Sequence, residues 1–134
     1  MIPAARIAAA IDVIADIAAR RRPAADALKD WGQTHRFAGS KDRAAIASLV
    51  YDALRRKASS AWIMGEATPR AEMLGMLREL RGHSPAEIAS LFSGEGHAPA
   101  ALSAAESIAL EAGGLVDAPD HVAGDYPEWL APAF

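Results

Sequence analysis

The chain has no cysteine, which excludes disulfides, thiolate metal ligands and a cysteine nucleophile. Aromatic residues are scarce, at 6%, so the burial of apolar surface falls to aliphatic side chains. No uninterrupted apolar run approaches the ~20 residues of a membrane span. Asp12 and Asp16 interrupt MIPAARIAAAIDVIADIAAR, where a secretory leader needs an unbroken apolar core. A cytoplasmic protein with no membrane partner is therefore expected. Strand-type alternation and internal repeats are missing as well. What is present is alanine, the best helix former, within a 51% hydrophobic composition. With 134 residues the chain fits one domain able to bury about two thirds of its unfolded surface.

Helical punctuation recurs along the chain. Pro3 suits a first helical turn, Ile7, Ile11, Ile14 and Ala18 follow at helical spacing, and Pro23 demands a stop near Arg20 to Arg22. Pro23 can open a second helix carrying Ala24, Ala27, Leu28 and Trp31. Ser40 is the expected cap of KDRAAIASLVYDALRRK. At 100° per residue, Leu49, Val50, Ala53 and Leu54 lie within about 80° of Ile46, Arg43 stands at that apolar edge, and Arg55 points away. Ser59 or Ser60 is expected to start a short helix closed by Gly65, with Trp31 and Trp62 as core anchors. Thr68-Pro69, Ser84-Pro85-Ala86-Glu87 and Ser103-Ala104-Ala105-Glu106 are three further starts, the last two being capping boxes. The expected fold class is all-α.

Charge is divided unevenly. Residues 1 to 57 hold eleven Lys/Arg against six Asp, a balance of +5, while residues 58 to 134 hold three Arg against eleven Asp/Glu, a balance of −8. Such a split suits either an anionic partner at one end or two halves that attract each other. Arg20-Arg21-Arg22 and Arg55-Arg56-Lys57 each close a helix. Cations there answer the helix dipole, worth about 0.3–1 kcal/mol, or they contact phosphates. Arg43 is expected in a structural ion pair, and the carboxylates of Glu72, Glu79 and Glu87 on solvated faces.

His35, His83, His97 and His121 are far apart, and their spacing suggests no metal site. SGEG at 93–96 follows no strand and reads as a loop between helices, not a phosphate cradle. No serine lies in G-x-S-x-G or S-x-x-K, so no nucleophile with a base stands out. From Leu115 onward prolines and acidic residues accumulate, and Trp129, Leu130 and Phe134 are large apolar residues in need of a partner surface.

KDRAAIASLVYDALRRKASSAWI resembles the signature of NusB-like helical domains, D-R-x-x-x-x-x-L-V-Y-x-x-L-R-R followed by an aromatic. Asp42, Arg43, Leu49, Val50, Tyr51, Leu54, Arg55 and Arg56 hold its positions. Through PAARIAAAI, RFAGSKDRAAI, FSGEGHAPAALS and YPEWLAPAF, essentially the whole chain resembles the N-terminal domain of Sun/Fmu (RsmB-type) rRNA cytosine-5 methyltransferases. The resemblance implies a bundle of about seven helices in two packed subdomains. It makes residues 1–125 an RNA-binding domain and 126–134 the start of a linker toward a methyltransferase domain of the same parent chain. S-adenosylmethionine and the catalytic cysteines would belong to that further domain. Lacking both cysteine and a glycine-rich cofactor loop, this piece is expected to be no enzyme, with no catalytic residue, metal or cofactor of its own.

Under this reading rRNA is the partner, contacted by Arg20, Arg21, Arg22, Arg36, Lys41, Arg55, Arg56 and Lys57. In NusB an arginine-rich N-terminal segment contacts RNA, and Arg20 to Arg22 correspond to it loosely by position. The alternative is a protein-interaction, antitermination-type module that docks a partner domain or ribosomal protein through Trp129, Leu130 and Phe134.

Overall fold

Pro3 lacks an N–H at a position where a helix has no use for one. The computed structural model, which describes residues 1–113 together with Val122, starts its first helix there, α1 (Pro3–Arg20). Ile7, Ala10, Val13 and Ile14 form its buried face. Pro23 disfavours helical backbone at Arg22, and the chain leaves α1 through Arg21 in the left-handed region at φ 50°. Pro23 itself is the N-cap of α2 (Ala24–Thr34), which buries Ala27 and Gly32 and leans Leu28 and Trp31 on the core.

The amphipathic stretch forms α3 (Ser40–Arg55), with Ile46, Leu49, Val50 and Ala53 buried. Its cap is Gly39 and not the expected Ser40, which is already helical and makes no capping bond. Asp42 in the first turn explains the shift. Its carboxylate accepts from the Gly39 backbone and from Arg6 Nε at 2.9 Å, and Arg6 Nη2 approaches it at 2.8 Å. The Arg6 hydrogen bond holds the Asp42 carboxyl below the usual carboxylate range and ties α1 to α3.

Arg56 alone separates α3 from α4 (Lys57–Met64), which ends at Gly65 with φ 74°. Ser59 and Ser60, expected to begin this helix, lie inside it and are buried. Ser60 faces Gly75 of α5 (Pro69–Glu79). Small residues at such a contact let two backbones approach, and that tertiary use overrides serine's preference for caps. Trp62, at 200° from Ser60 around the helix, is turned outward and 44% exposed, so it is not the core anchor expected.

Every residue of α5 from Ala71 to Leu77 is buried, and this helix touches α1, α3, α4, α6 and α7. Thr68 caps it through Oγ1, which accepts from the Ala71 N–H at 3.1 Å. The capping boxes at Ser84/Glu87 and Ser103/Glu106 form as spelled and start α6 (Pro85–Leu91) and α7 (Ala104–Ala112). The architecture is thus an all-α bundle of seven helices without a strand among the described residues, α5 joining the α1–α3 layer to α4, α6 and α7. Its core includes Ile14, Ile46, Met73, Leu74, Met76, Leu77, Ile88, Phe92 and Leu110. Burying each such side chain contributes roughly 1.5–3 kcal/mol.

The central position of α5 also overturns an expectation about charge. Glu79 and Glu87 are solvated as expected, but Glu72 is only 4% exposed. Its Oε2 has no hydrogen-bond partner among the described residues, and burial pushes its carboxyl above the usual range despite the attraction of Lys57. No described helix is long and apolar enough to cross a membrane. His121 and the apolar trio Trp129, Leu130 and Phe134 lie outside the described residues, as does the proposed boundary at residue 125.

Candidate nucleic-acid interface

A cation is available to phosphate only when no carboxylate already holds it. Arg20 lies 3.1 Å from Asp16. Arg22 is inserted between α1 and α2: it pairs with Asp30, approaches Asp16 at 3.5 Å, and donates to the Asp26 carbonyl at 2.7 Å. The Arg22 hydrogen bond holds the Asp30 carboxyl below its usual range. Arg55 pairs with Asp52, which also accepts from Arg81 Nη2 at 2.9 Å. Arg21, Lys41 and Lys57 are exposed, and Arg56 is half-buried at the α3–α4 break. The eight expected RNA contacts therefore do not share one setting: three of them already face aspartates.

The structure brings together a different set. Between α2 and the start of α3 lies a cleft of about 470 Å³ lined by Leu28, Lys29, Gly32, Gln33, Arg36 and Arg43. None of these residues is acidic. Lys29, Arg36 and Arg43 are exposed and belong to no ion pair among the described residues. Arg36 donates only a long 3.4 Å bond to the Gln33 carbonyl. Gly32 is buried, and a Cβ there would lie 3.3 Å from Arg43 Cδ, so glycine makes room for the arginine stem across α2.

Arg43 was expected in an ion pair and makes none among the described residues; its neighbour Asp42 is engaged by Arg6. Of the cleft's three cations, only Arg36 was anticipated as a contact. Lys29, Gly32, Gln33 and Arg36 do recur at spacings of three and four, a polar stripe with a glycine in its middle. Arg43 comes from another helix, and pairing it with that stripe requires the fold.

Three cations outside any ion pair among the described residues form a local positive field at one concave surface, which a phosphate feels within a Debye length of about 8–10 Å. Two of the three are guanidiniums, whose paired N–H groups match phosphate oxygens. A larger cleft of about 580 Å³ between α1, α3, α5 and α6 also carries Arg6, Arg81 and His83. There Arg6 is matched with Asp42 and Arg81 with Asp52, and His83 lies 3.5 Å from the Glu87 carboxylate.

His97 is exposed, whereas His35 is half-buried. His35 stacks on Trp31 with ring centroids 4.3 Å apart and planes 6° apart. Its Nδ1 lies 2.8 Å from the Trp31 carbonyl oxygen and 2.9 Å from Thr34 Oγ1. SGEG is a loop between α6 and α7, where the Gly94 N–H donates to the Pro99 carbonyl at 2.9 Å. Among the described residues no three His, Asp or Glu side chains come together as a metal site. No family model, curated protein or solved structure matches the chain.

Proposed function

We propose that this chain is an RNA-binding accessory domain of NusB type, part of an S-adenosylmethionine-dependent rRNA cytosine-C5 methyltransferase, and that it helps to position rRNA. The observation that carries the reading is the α2–α3 cleft, where Lys29, Arg36 and Arg43 converge without a carboxylate. Methyl transfer and the binding of S-adenosylmethionine are assigned to another domain of the parent chain. The residues described here hold RNA and do no chemistry on it. Lys41, at the start of the helix that carries Arg43, extends the cationic surface. Arg22 serves mainly to fasten α1 to α2 through Asp16, Asp26 and Asp30, and Arg20 pairs with Asp16 within α1.

Two alanine triples of equal charge change separate this site from general electrostatics. A small-subunit rRNA hairpin is titrated at ~50 mM and ~200 mM salt against wild type, Lys29/Arg36/Arg43→Ala and Arg20/Arg21/Arg22→Ala. Three lost phosphate contacts lower the slope of log affinity against log salt by about 2 to 3. The cleft triple shows that loss and the Arg20 to Arg22 triple about a third of it. Equal behaviour of the two triples, or a wild type without salt dependence, refutes the assignment.

A further inference from the structure

The connection between α2 and α3 serves two surfaces at once. Arg36 lines the cationic cleft, while its neighbours His35 and Phe37 line a second groove of about 500 Å³ with Met1, Ile2, Trp31 and the carboxylates of Asp12 and Glu95. Consecutive residues are about 3.8 Å apart, so the two openings are separated by one backbone. Phe37 is 75% exposed and Ile2 62%. Phe37 stands edge-on to His35 at 5.9 Å, and His35 is held flat on Trp31 by ring stacking and the Nδ1 hydrogen bond. The result is a row of three rings whose outermost member is open to solvent.

We propose that this groove takes an unpaired base of a single-stranded RNA, stacked against Phe37 beside His35, while the adjoining phosphates sit on Lys29, Arg36 and Arg43. The inference rests on the RNA reading above and adds the strandedness of the target and the seat of the base. Charge complementarity selects this occupant. Cations lie on one side of residues 35–37 and carboxylates on the other. An apolar protein segment would desolvate Asp12 and Glu95 without offering them donors, which is costly. A basic peptide would satisfy them and be repelled by the cleft. A nucleotide strand has an anionic backbone for the cations, an apolar ring face for Phe37, and exocyclic amino groups that the two carboxylates accept from. A duplex keeps its bases stacked and paired, out of reach of such a pocket.

The test uses the full chain and a fluorescent RNA of about ten nucleotides of mixed sequence, single-stranded or annealed to its complement, read by anisotropy. Wild type binds the single strand more tightly than the duplex. Phe37→Ala weakens the single-strand complex roughly 5- to 150-fold, the range for losing one base–aromatic stack, with an unchanged salt slope. Phe37→Trp retains affinity, and the duplex is indifferent to both changes. Because Phe37 is a surface residue, circular dichroism of both variants matches wild type. If Phe37→Ala binds as wild type does while Lys29/Arg36/Arg43→Ala is weakened, the base site is wrong and the RNA reading stands. If Phe37→Ala alters self-association in sedimentation and leaves RNA affinity alone, the groove docks protein and the inference is overturned. If wild type binds neither RNA, both readings fall.

Discussion

Replacing Gly75 by alanine tests the packing that makes α5 the centre of the bundle. A Cβ at Gly75 would lie 2.4 Å from Ser60 Cβ, 2.5 Å from Ser60 Cα and 2.6 Å from Ser60 Oγ. Carbon atoms in ordinary contact stand about 3.5–4.0 Å apart, so α4 and α5 must separate by about 1 Å where they are closest. Overpacking of this kind costs about 1–3 kcal/mol, occasionally more. A backbone atom cannot rotate away, which places this site at the upper end. Alanine recovers about 1 kcal/mol of helix propensity over glycine, leaving a net loss of about 2 kcal/mol. For a domain of this size that lowers Tm by about 10 °C. Urea unfolding should show a lower midpoint at unchanged m. Ser60→Gly in the Gly75→Ala background removes the Cβ and Oγ collisions but leaves the one with Cα, so rescue should be partial. A Tm within about 2 °C of wild type for Gly75→Ala, or full rescue by Ser60→Gly, would refute the reasoning.

Two carboxylates predict opposite pH behaviour. Burial raises the Glu72 pKa, so its contribution to stability is complete below the ordinary glutamate range and declines as pH rises through the raised value. Glu72→Gln, neutral throughout, should match wild type in acid and exceed it by about 1 kcal/mol near neutrality; thermal melts across pH 3 to 8 that run parallel would count against this. Glu106 is depressed, chiefly by the Arg70 hydrogen bond, so its stabilisation is present above the ordinary range and disappears as pH falls through the lowered value. Glu106→Gln should lose about 1–2 kcal/mol at neutral pH, and nothing once the pH is below the lowered value. Arg70→Ala should lose more, about 3 kcal/mol by urea unfolding. That change also removes bonds to the Ala100 and Ala101 carbonyls at 2.8 and 3.2 Å and the guanidinium 4.9 Å from the Phe92 ring centroid.

Local signals carried most of the helix count. Prolines at first turns, Thr68 and the two Ser-x-x-Glu boxes act within four residues of themselves, and each forms the start its letters describe. The amphipathic face around Ile46 was equally legible, because period and burial agree there. What could not be read were features created by a second helix. Ser59 and Ser60 look like caps until Gly75 arrives opposite Ser60. Glu72 looks solvated until α5 is surrounded by five other helices. Trp62 looks like an anchor until the small residues of α4 claim its inner side.

The candidate site follows the same logic with charge in place of packing. A count of lysines and arginines weights each cation equally, and on that count the Arg20-Arg21-Arg22 run is the strongest feature of the chain. The fold weights each one by the carboxylates within its reach. Arg22 lies among Asp16, Asp26 and Asp30, so the run's most deeply placed cation fastens α1 to α2. Lys29 and Arg43 are isolated letters in the sequence, yet they converge with Arg36 because Gly32 admits the Arg43 stem across α2. The +5 balance of the first 57 residues is therefore not spread over their surface. Part of it is neutralised where arginines are densest, and an open part remains where sequence inspection finds only scattered charges.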